Sequence, residues 1–478
     1  MSVAIFWFRR DLRLTDNPAL TAALAAADTV VPVYIHAPEE EGDWAPGAAS
    51  RWWLHRSLDS LSRELDARGS RLIIRRGPSV DALARLAEET DATSIHWNRL
   101  YEPAIVARDK AIKQALGERG LHVASSNGHL LFEPWAVRTG AGGPYRVFTP
   151  FWKTCLGSID QVGAPLPAPR RMPAVREDLA GVERDSLDLS PRLAWDEGLQ
   201  AAWQPGEAGG AAALDRFCGG VIESYDADRN RPDRGGTSRL SPFLHFGEIS
   251  ARQALVAARV PGSGDSSGSE SFIRELGWRE FAHHLLYHFP HTPDAPLDAR
   301  FDKLDWRRDS GLLRAWQRGL TGYPIVDAGM RELWHTGWMH NRVRMIVASL
   351  LTKNLFMHWR EGARWFWDTL VDADLANNTL GWQWTAGCGA DAAPYYRVFS
   401  PILQAEKFDP HRRYIRLWIP ELAALPDKWI HCPWLAPTPV LEAAKVALGV
   451  TYPAPIVDPR GSRDDALQRF TALKRDRG

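Results

Sequence analysis

The chain has 478 residues, too many for one ordinary core, so two or more domains are expected. Hydrophobic residues make up 45% and charged residues 24%, mean hydropathy is −0.30, and no uncharged apolar run approaches the ~18 residues of a membrane span. The 58 basic and 58 acidic side chains cancel, which removes a global basic charge as an argument for nucleic acid but leaves a local basic face open. Four scattered cysteines without a CxxC pair exclude a zinc knuckle or a disulfide framework, and reduced, mostly buried thiols are expected. The unusual count is 22 tryptophans, which suits packing, stacking on flat ligands or the movement of electrons.

The apolar run before Arg9 and Arg10 is too short for a secretory signal and reads as a first strand, so the cytoplasm is the expected location. Candidate strands follow at 3–8, 29–36, 71–76, 94–97 and 121–126, separated by stretches of helical period such as "WLHRSLDSLSRELDARG". That alternation implies right-handed crossovers and a Rossmann-like parallel sheet of five strands. No GxGxxG follows the first strand, so a dinucleotide fingerprint is absent. A ligand of this domain is expected beyond the carboxyl ends of the strands. Residues 131–205, with "APLPAPRRMPAV", lose periodicity and read as a long connector. From 206 to 478 the pattern is helical. "PIVDAGMRELWHTGWMHNRVRMIVASLLTKNLF" is one such run, and a Gly/Ser loop at 261–270 precedes a helix that Ser269 or Ser271 is placed to cap. The expected order is thus an α/β domain (1–130), a linker (131–205) and an all-α domain (206–478).

Four segments carry chemistry. "GGTSRLSPFLHFGEIS" (235–250) puts two glycines before Thr237, Ser238, Arg239, Leu240 and Ser241, a way to offer backbone N–H groups and hydroxyls to phosphate oxygens. "RELGWREF" (274–281) sets Glu275 and Trp278 three apart, on one helix face. "WMHNRVRM" (338–345) puts Asn341, Arg344 and Met345 on one face, a mixture no core stripe calls for. "DADLANNTLGWQW" (372–384) sets Asp372 and Asp374 among apolar and aromatic residues, where a charge needs a partner, close to an amide able to tune a redox-active ring. His283, His284 and His288 have metal-like helical spacing, but no carboxylate or cysteine partner is evident, so no metal is expected.

Taken in order, these segments and "FWFRRDLRLTDNPAL" (6–20) closely resemble the photolyase/cryptochrome flavoproteins over nearly the whole chain. The resemblance implies an α/β antenna-binding domain and a helical domain holding FAD. It implies light-driven repair of cyclobutane pyrimidine dimers in DNA, by electron transfer from excited reduced FAD. Carried over by motif, the FAD contacts are Tyr225, Thr237, Ser238, Arg239, Leu240, Ser241, Phe272, Glu275, Arg279, Trp338, Asn341, Arg344, Asp372, Ala373, Asp374 and Asn378. Phe272 stands where the family often has Trp, and Asn378 should face the flavin N5. Glu275, Trp278, Asn341 and Met345 would meet the flipped-out lesion. Arg342, Trp384 and Arg397 would add DNA contacts. Trp382, Trp359 and Trp306 match the tryptophan chain that photoreduces FAD, with Trp384 as a branch.

The six-four photolyases place histidines where Asn341 and Met345 stand. Iron–sulfur members need four cysteines in the helical domain, and Cys155 lies outside it, so a cyclobutane dimer is the expected lesion. The stretch 36–58 is most similar to plant cryptochromes and the related class III bacterial photolyases. Plant cryptochromes usually carry Asp opposite flavin N5 and a long tail; Asn378 and an end at 478 favour repair over a purely signalling photoreceptor, the alternative function. Class III membership implies 5,10-methenyltetrahydrofolate as antenna, near Glu41, Trp44 and Trp52. Ala104 and Ile105 replace the Asn-Glu pair of the class I binding mode, which keeps 8-hydroxy-5-deazaflavin open. A monomer acting on damaged DNA, with no membrane association, completes the expectation.

Overall fold

The computed structural model describes residues 2–259, 267–392 and 397–475. Five parallel strands form one sheet: β1 (Val3–Phe8), β2 (Thr29–His36), β3 (Ile73–Arg76), β4 (Ser94–Asn98) and β5 (His122–Ser126), in the order β3-β2-β1-β4-β5. β1 and β2 are near-continuous apolar runs, and β4 (SIHWN) is buried throughout, because crossover helices cover both faces of such a sheet. Pro32 is tolerated inside β2: it pairs only with Phe6 of β1, and the ladder to β3 starts one residue later, at Val33↔Ile73. Trp7 and Trp97 meet edge to face (5.5 Å) in a core completed by Val33, Leu83, Leu86, Ile95 and Leu116.

The strand order reverses between β1 and β4, which puts the switch-point crevice at the carboxyl ends of these two strands. Buried ion pairs fill it. Arg9 bonds Asp109 (2.6 Å) and lies over Trp7, and Arg10 pairs with Glu102 (2.8 Å).

The chain divides into two compact units, and the division cuts across the boundaries expected from sequence. The first unit comprises Met1–Glu223, Ser238–Pro290 and Val371–Leu375; the second comprises Ser224–Thr237, His291–Leu370 and Ala376–Gly478. The first unit therefore holds the sheet together with helix Ser267–His288. The connector 131–205 is not featureless, since Phe148–Leu156 and Glu197–Ala202 are helical. The helix after the Gly/Ser loop begins at Ser267, so Ser269 and Ser271 lie inside it and do not cap it. Ser269 instead bonds the Ala258 carbonyl (2.5 Å). Residues 260–266 of that loop lie outside the described residues.

The second unit is helical, and among the described residues no named strand follows Ser126. The run read as one helical pattern is broken. Gly337, in the left-handed region (φ 67°), closes helix Pro324–Thr336, and His340 opens helix Asn341–Ser349 by accepting the Arg342 N–H at Nδ1 (3.1 Å). Asp327 anchors this unit with a fully buried carboxylate. It accepts from the Thr321 N–H (2.7 Å), Thr321 Oγ1 (2.6 Å), the Gly322 N–H (3.0 Å) and Tyr452 Oη (2.7 Å).

Candidate functional site

In the first unit, helix Ser267–His288 carries the chemistry of "RELGWREF". Phe272 is buried against Phe217, with ring centres 4.6 Å apart. Glu275 and Trp278 are half-buried. Trp278 lies nearly parallel to Phe148 (3.8 Å, 7°), so one indole face is already stacked. Arg279 is buried and donates to the His129 carbonyl (2.9 Å) and to His129 Nε2 (2.8 Å). A guanidinium is a donor only, so that His129 nitrogen is bare and the ring is neutral. Burial, and then Arg279, keep the ring well below the usual histidine range.

One turn on, His283 Nδ1 donates to the Arg279 carbonyl (3.0 Å), and its Nε2 stands 3.5 Å from Asp374 Oδ2. His245 Nδ1 stands 3.6 Å from the same oxygen. Burial alone would raise the Asp374 carboxyl, but His283 and His245 hold it well below the usual carboxylate range. His129, His283 and Asp374 bring ligand atoms within 4.8 Å of one another. The guanidinium on His129 Nε2 already takes the lone pair a cation would need, so the cluster is built as a polar network. This corrects the reading that His283 has no carboxylate partner. His129 and His245 were not singled out, because each lies far along the chain from its partners, Arg279 and Asp374, although His245 falls within the segment 235–250.

In the phosphate-type segment, Arg239 adopts a left-handed backbone (φ 54°) and lies over the Trp203 ring (4.2 Å), while Ser238 Oγ accepts the Leu240 N–H (3.4 Å). Ser241 begins the short helix Ser241–His245. Asp372 and Ala373 are buried beside Asp374 in sequence. Among the antenna candidates, burial raises the carboxyl of Glu41, and Trp44 is buried. Trp52 offers no free face: it is fully buried, its Nε1 bonds Asp196 (2.7 Å) and Arg56 covers its ring (4.1 Å).

In the second unit, helix Asn341–Ser349 buries Val343, Ile346 and Val347 and leaves Asn341, Arg344 and Met345 incompletely covered, as their spacing predicts. Arg344 Nε bonds the Met339 carbonyl (2.8 Å). Arg342 is held by Asn230 Oδ1 (2.7 Å) and the Phe408 ring (4.4 Å). Burial, and then Arg342 and Arg344, push His340 down to about 3. Trp338 is buried edge to face with His340 (6.2 Å), and Tyr225 is buried with Arg229 over its ring (5.7 Å). Thr237 is half-buried.

Asn378 donates from Nδ2 to the Ala363 carbonyl (3.0 Å), which fixes the amide and leaves Oδ1 as its acceptor. Trp382 is buried against Phe366 (5.0 Å) and Trp316 (6.1 Å). Trp359 is buried, whereas Trp306 and Trp384 are half-buried, the latter bonded through Nε1 to the Asp391 carbonyl (3.1 Å). Arg397 is exposed, over Phe399 (5.2 Å).

In the second unit, His340 Nε2 is buried without a hydrogen-bond partner. Such an orphaned atom calls for a polar group.

Residues 4–170 match the family described as DNA photolyase, and residues 272–472 match the FAD binding domain of DNA photolyase. The chain belongs to the photolyase/cryptochrome family. It is 46% identical to the deoxyribodipyrimidine photo-lyase of Agrobacterium fabrum, covering 98% of each chain. It is 44% identical to cryptochrome-2 of Arabidopsis thaliana, over 95% of this chain and 76% of that one. A crystal structure of a bacterial class III photolyase from Agrobacterium tumefaciens superimposes with a TM-score of 0.96 at 46% identity, covering 99% of this chain and 98% of that one. Among the described residues, no helix is long and apolar enough to cross a membrane.

Proposed function

We infer that this chain is a light-driven deoxyribodipyrimidine photolyase, which splits cyclobutane pyrimidine dimers in DNA. The observation that carries the reading is the partly covered Asn341, Arg344 and Met345 face, within a chain matched end to end by a deoxyribodipyrimidine photo-lyase. FAD, when bound, supplies the light-driven electron that opens the dimer.

The residues proposed to hold FAD are those carried over by motif. Tyr225, Thr237, Ser238, Arg239, Leu240 and Ser241 serve its phosphates and ribose. Phe272, Glu275, Arg279, Trp338, Asn341, Arg344, Asp372, Ala373, Asp374 and Asn378 serve its rings. The amide of Asn378, pinned by Ala363, would present Oδ1 to a ring N–H. Asp374, kept ionised by His283 and His245, would accept hydrogen bonds from the ligand. Trp278 would stack a dimer base on its open face while Phe148 backs the other. Glu275 and Asn341 would meet the imide edge, and Met345 would form a soft apolar wall. Arg342, Trp384 and Arg397 would meet the flanking DNA. Trp382, Trp359 and Trp306 form the proposed electron relay, with Trp384 as a branch.

We also propose residues 1–130 as the antenna domain, 131–205 as the linker and 206–478 as the FAD-binding domain. The proposed second chromophore is methenyltetrahydrofolate near Glu41 and Trp44, with a deazaflavin as alternative. The proposed setting is a cytoplasmic monomer that joins the nucleoid at damage. The similarity to cryptochrome-2 keeps a blue-light photoreceptor without repair as the second reading.

A gel-shift experiment tests the function. The reduced, FAD-loaded protein should retain an oligonucleotide bearing one thymine dimer and release it on illumination, because the restored thymines are stacked and paired again. A complex that survives illumination unchanged would favour the photoreceptor. Absorbance and mass of the released chromophores identify the antenna.

A further inference from the structure

Between two tryptophans of the proposed relay lies a third ring that neither the motifs nor the family similarity assigns. His358 caps helix Trp359–Thr369: its Nδ1 accepts the Arg360 N–H (3.1 Å). A nitrogen that accepts from an amide carries no proton, so this imidazole is neutral, with its hydrogen on Nε2. The same ring meets Trp306 at 5.3 Å and 64°, and Trp359 at 5.5 Å and 31°. The cap therefore fixes the ring, and the ring touches both indoles. The order of exposure agrees with an outward path, from buried Trp382 and Trp359 to half-buried Trp306.

We propose that His358 is a positioning residue of the electron relay: a neutral spacer that sets Trp359 against Trp306 and keeps the space between them uncharged. The proposal rests on reading Trp382, Trp359 and Trp306 as the relay. Each transfer along it moves one electron inward and one positive charge outward, and no bond forms or breaks. An imidazolium at His358 would oppose a positive charge on either neighbouring indole and hold that charge on Trp382, farther in.

The charged groups facing the ring are few. Burial, and then Arg360 on its own helix, push His358 down to about 4, while Asp302 of turn Ala299–Lys303 acts the other way. The ring is thus neutral at pH 7, and acid is the condition that would close the outer relay.

Two measurements on the full chain test this. Histidine nitrogen NMR should show His358 as the neutral Nε2–H tautomer at pH 7, with or without FAD. Flash photoreduction of the FAD-loaded protein should lose about half its yield between pH 7 and pH 4 in the wild type. In H358N, which keeps an N-cap but loses the titrating ring, the ratio of yields at the two pH values should stay near one. Circular dichroism at both pH values confirms that each protein is folded. An imidazolium at pH 7, or equal acid loss in the wild type and H358N, would overturn the proposal. W306F separates the two levels. Photoreduction undiminished in W306F would overturn the relay itself, and the role of His358 with it. Lost photoreduction in W306F with equal acid sensitivity in H358N would overturn only the role of His358.

Discussion

Gly362 is where the packing of the proposed relay can be tested most sharply. It lies inside helix Trp359–Thr369, and a Cβ built there would stand 2.0, 2.4 and 2.5 Å from three carbons of the Trp382 ring. Two effects compete in G362A. Helix propensity favours alanine by about 1 kcal/mol, whereas overpacking a filled core costs about 1–3 kcal/mol. The obstacle here is a rigid indole, buried and boxed by Phe366 and Trp316, so it has little room to swing aside. The steric cost should sit at the upper end of its range, leaving a net loss of about 1–2 kcal/mol, or a melting temperature lower by roughly 2–6 °C. Gly381 is the matched control. It lies in helix Leu375–Ala386, and a Cβ added there would meet nothing within 4 Å, so G381A should be neutral or stabilising by up to about 1 kcal/mol. Thermal unfolding of the three proteins reads the difference. G362A melting at or above the wild-type temperature would refute the close approach of Trp382.

Three further outcomes are expected. D327A strips four buried donors of one shared acceptor and should cost at least about 3 kcal/mol in urea unfolding; a loss under about 1 kcal/mol would show that those donors find other partners. W278A removes a stacking face and should weaken binding of dimer-bearing DNA by roughly 1–3 kcal/mol, or about 5- to 150-fold, in a titration where undamaged DNA changes little. Burial pushes His340 down to about 3 and His284 to about 4. Both folded values lie below the unfolded one of about 6.5, so the unfolded chain takes up protons first and stability falls as pH drops from about 6.5 toward those values. Each histidine contributes up to about 1.4 kcal/mol per pH unit in that window, and H284Q should reduce the slope by up to one proton; an unchanged slope would contradict a neutral, buried His284.

The central strands β1 and β2 were legible because parallel strands covered on both faces are short apolar runs, and all five strands lie within two residues of their expected places. The face of helix Asn341–Ser349 was legible for a similar reason, since spacings of three and four map directly onto one side of a helix. Its start was less so, because Gly337 breaks a pattern whose period continues on both sides. The surroundings of Asp374 were hidden. His129 and His245 come near it only through the tertiary fold, and neither a histidine in a loop, as His129 is, nor one ending a short helix, as His245 does, carries a local signal. Histidine is also an uncommon cap, so the roles of His340 and His358 at helix starts had no motif to announce them. Trp52 shows the converse: a tryptophan beside a candidate ligand segment proved to be committed, through Asp196 and Arg56, to the packing of its own unit.

The measurement closest to the central claim is chemical. The FAD-loaded protein, reduced in advance, is mixed with an oligonucleotide carrying one cyclobutane thymine dimer, illuminated with blue light, and the restored thymines are counted by chromatography against a dark control. The account predicts that restored thymines accumulate in the light, well beyond one per protein, and that none form in the dark. Dimers left intact after illumination of a reduced, DNA-bound protein would contradict it.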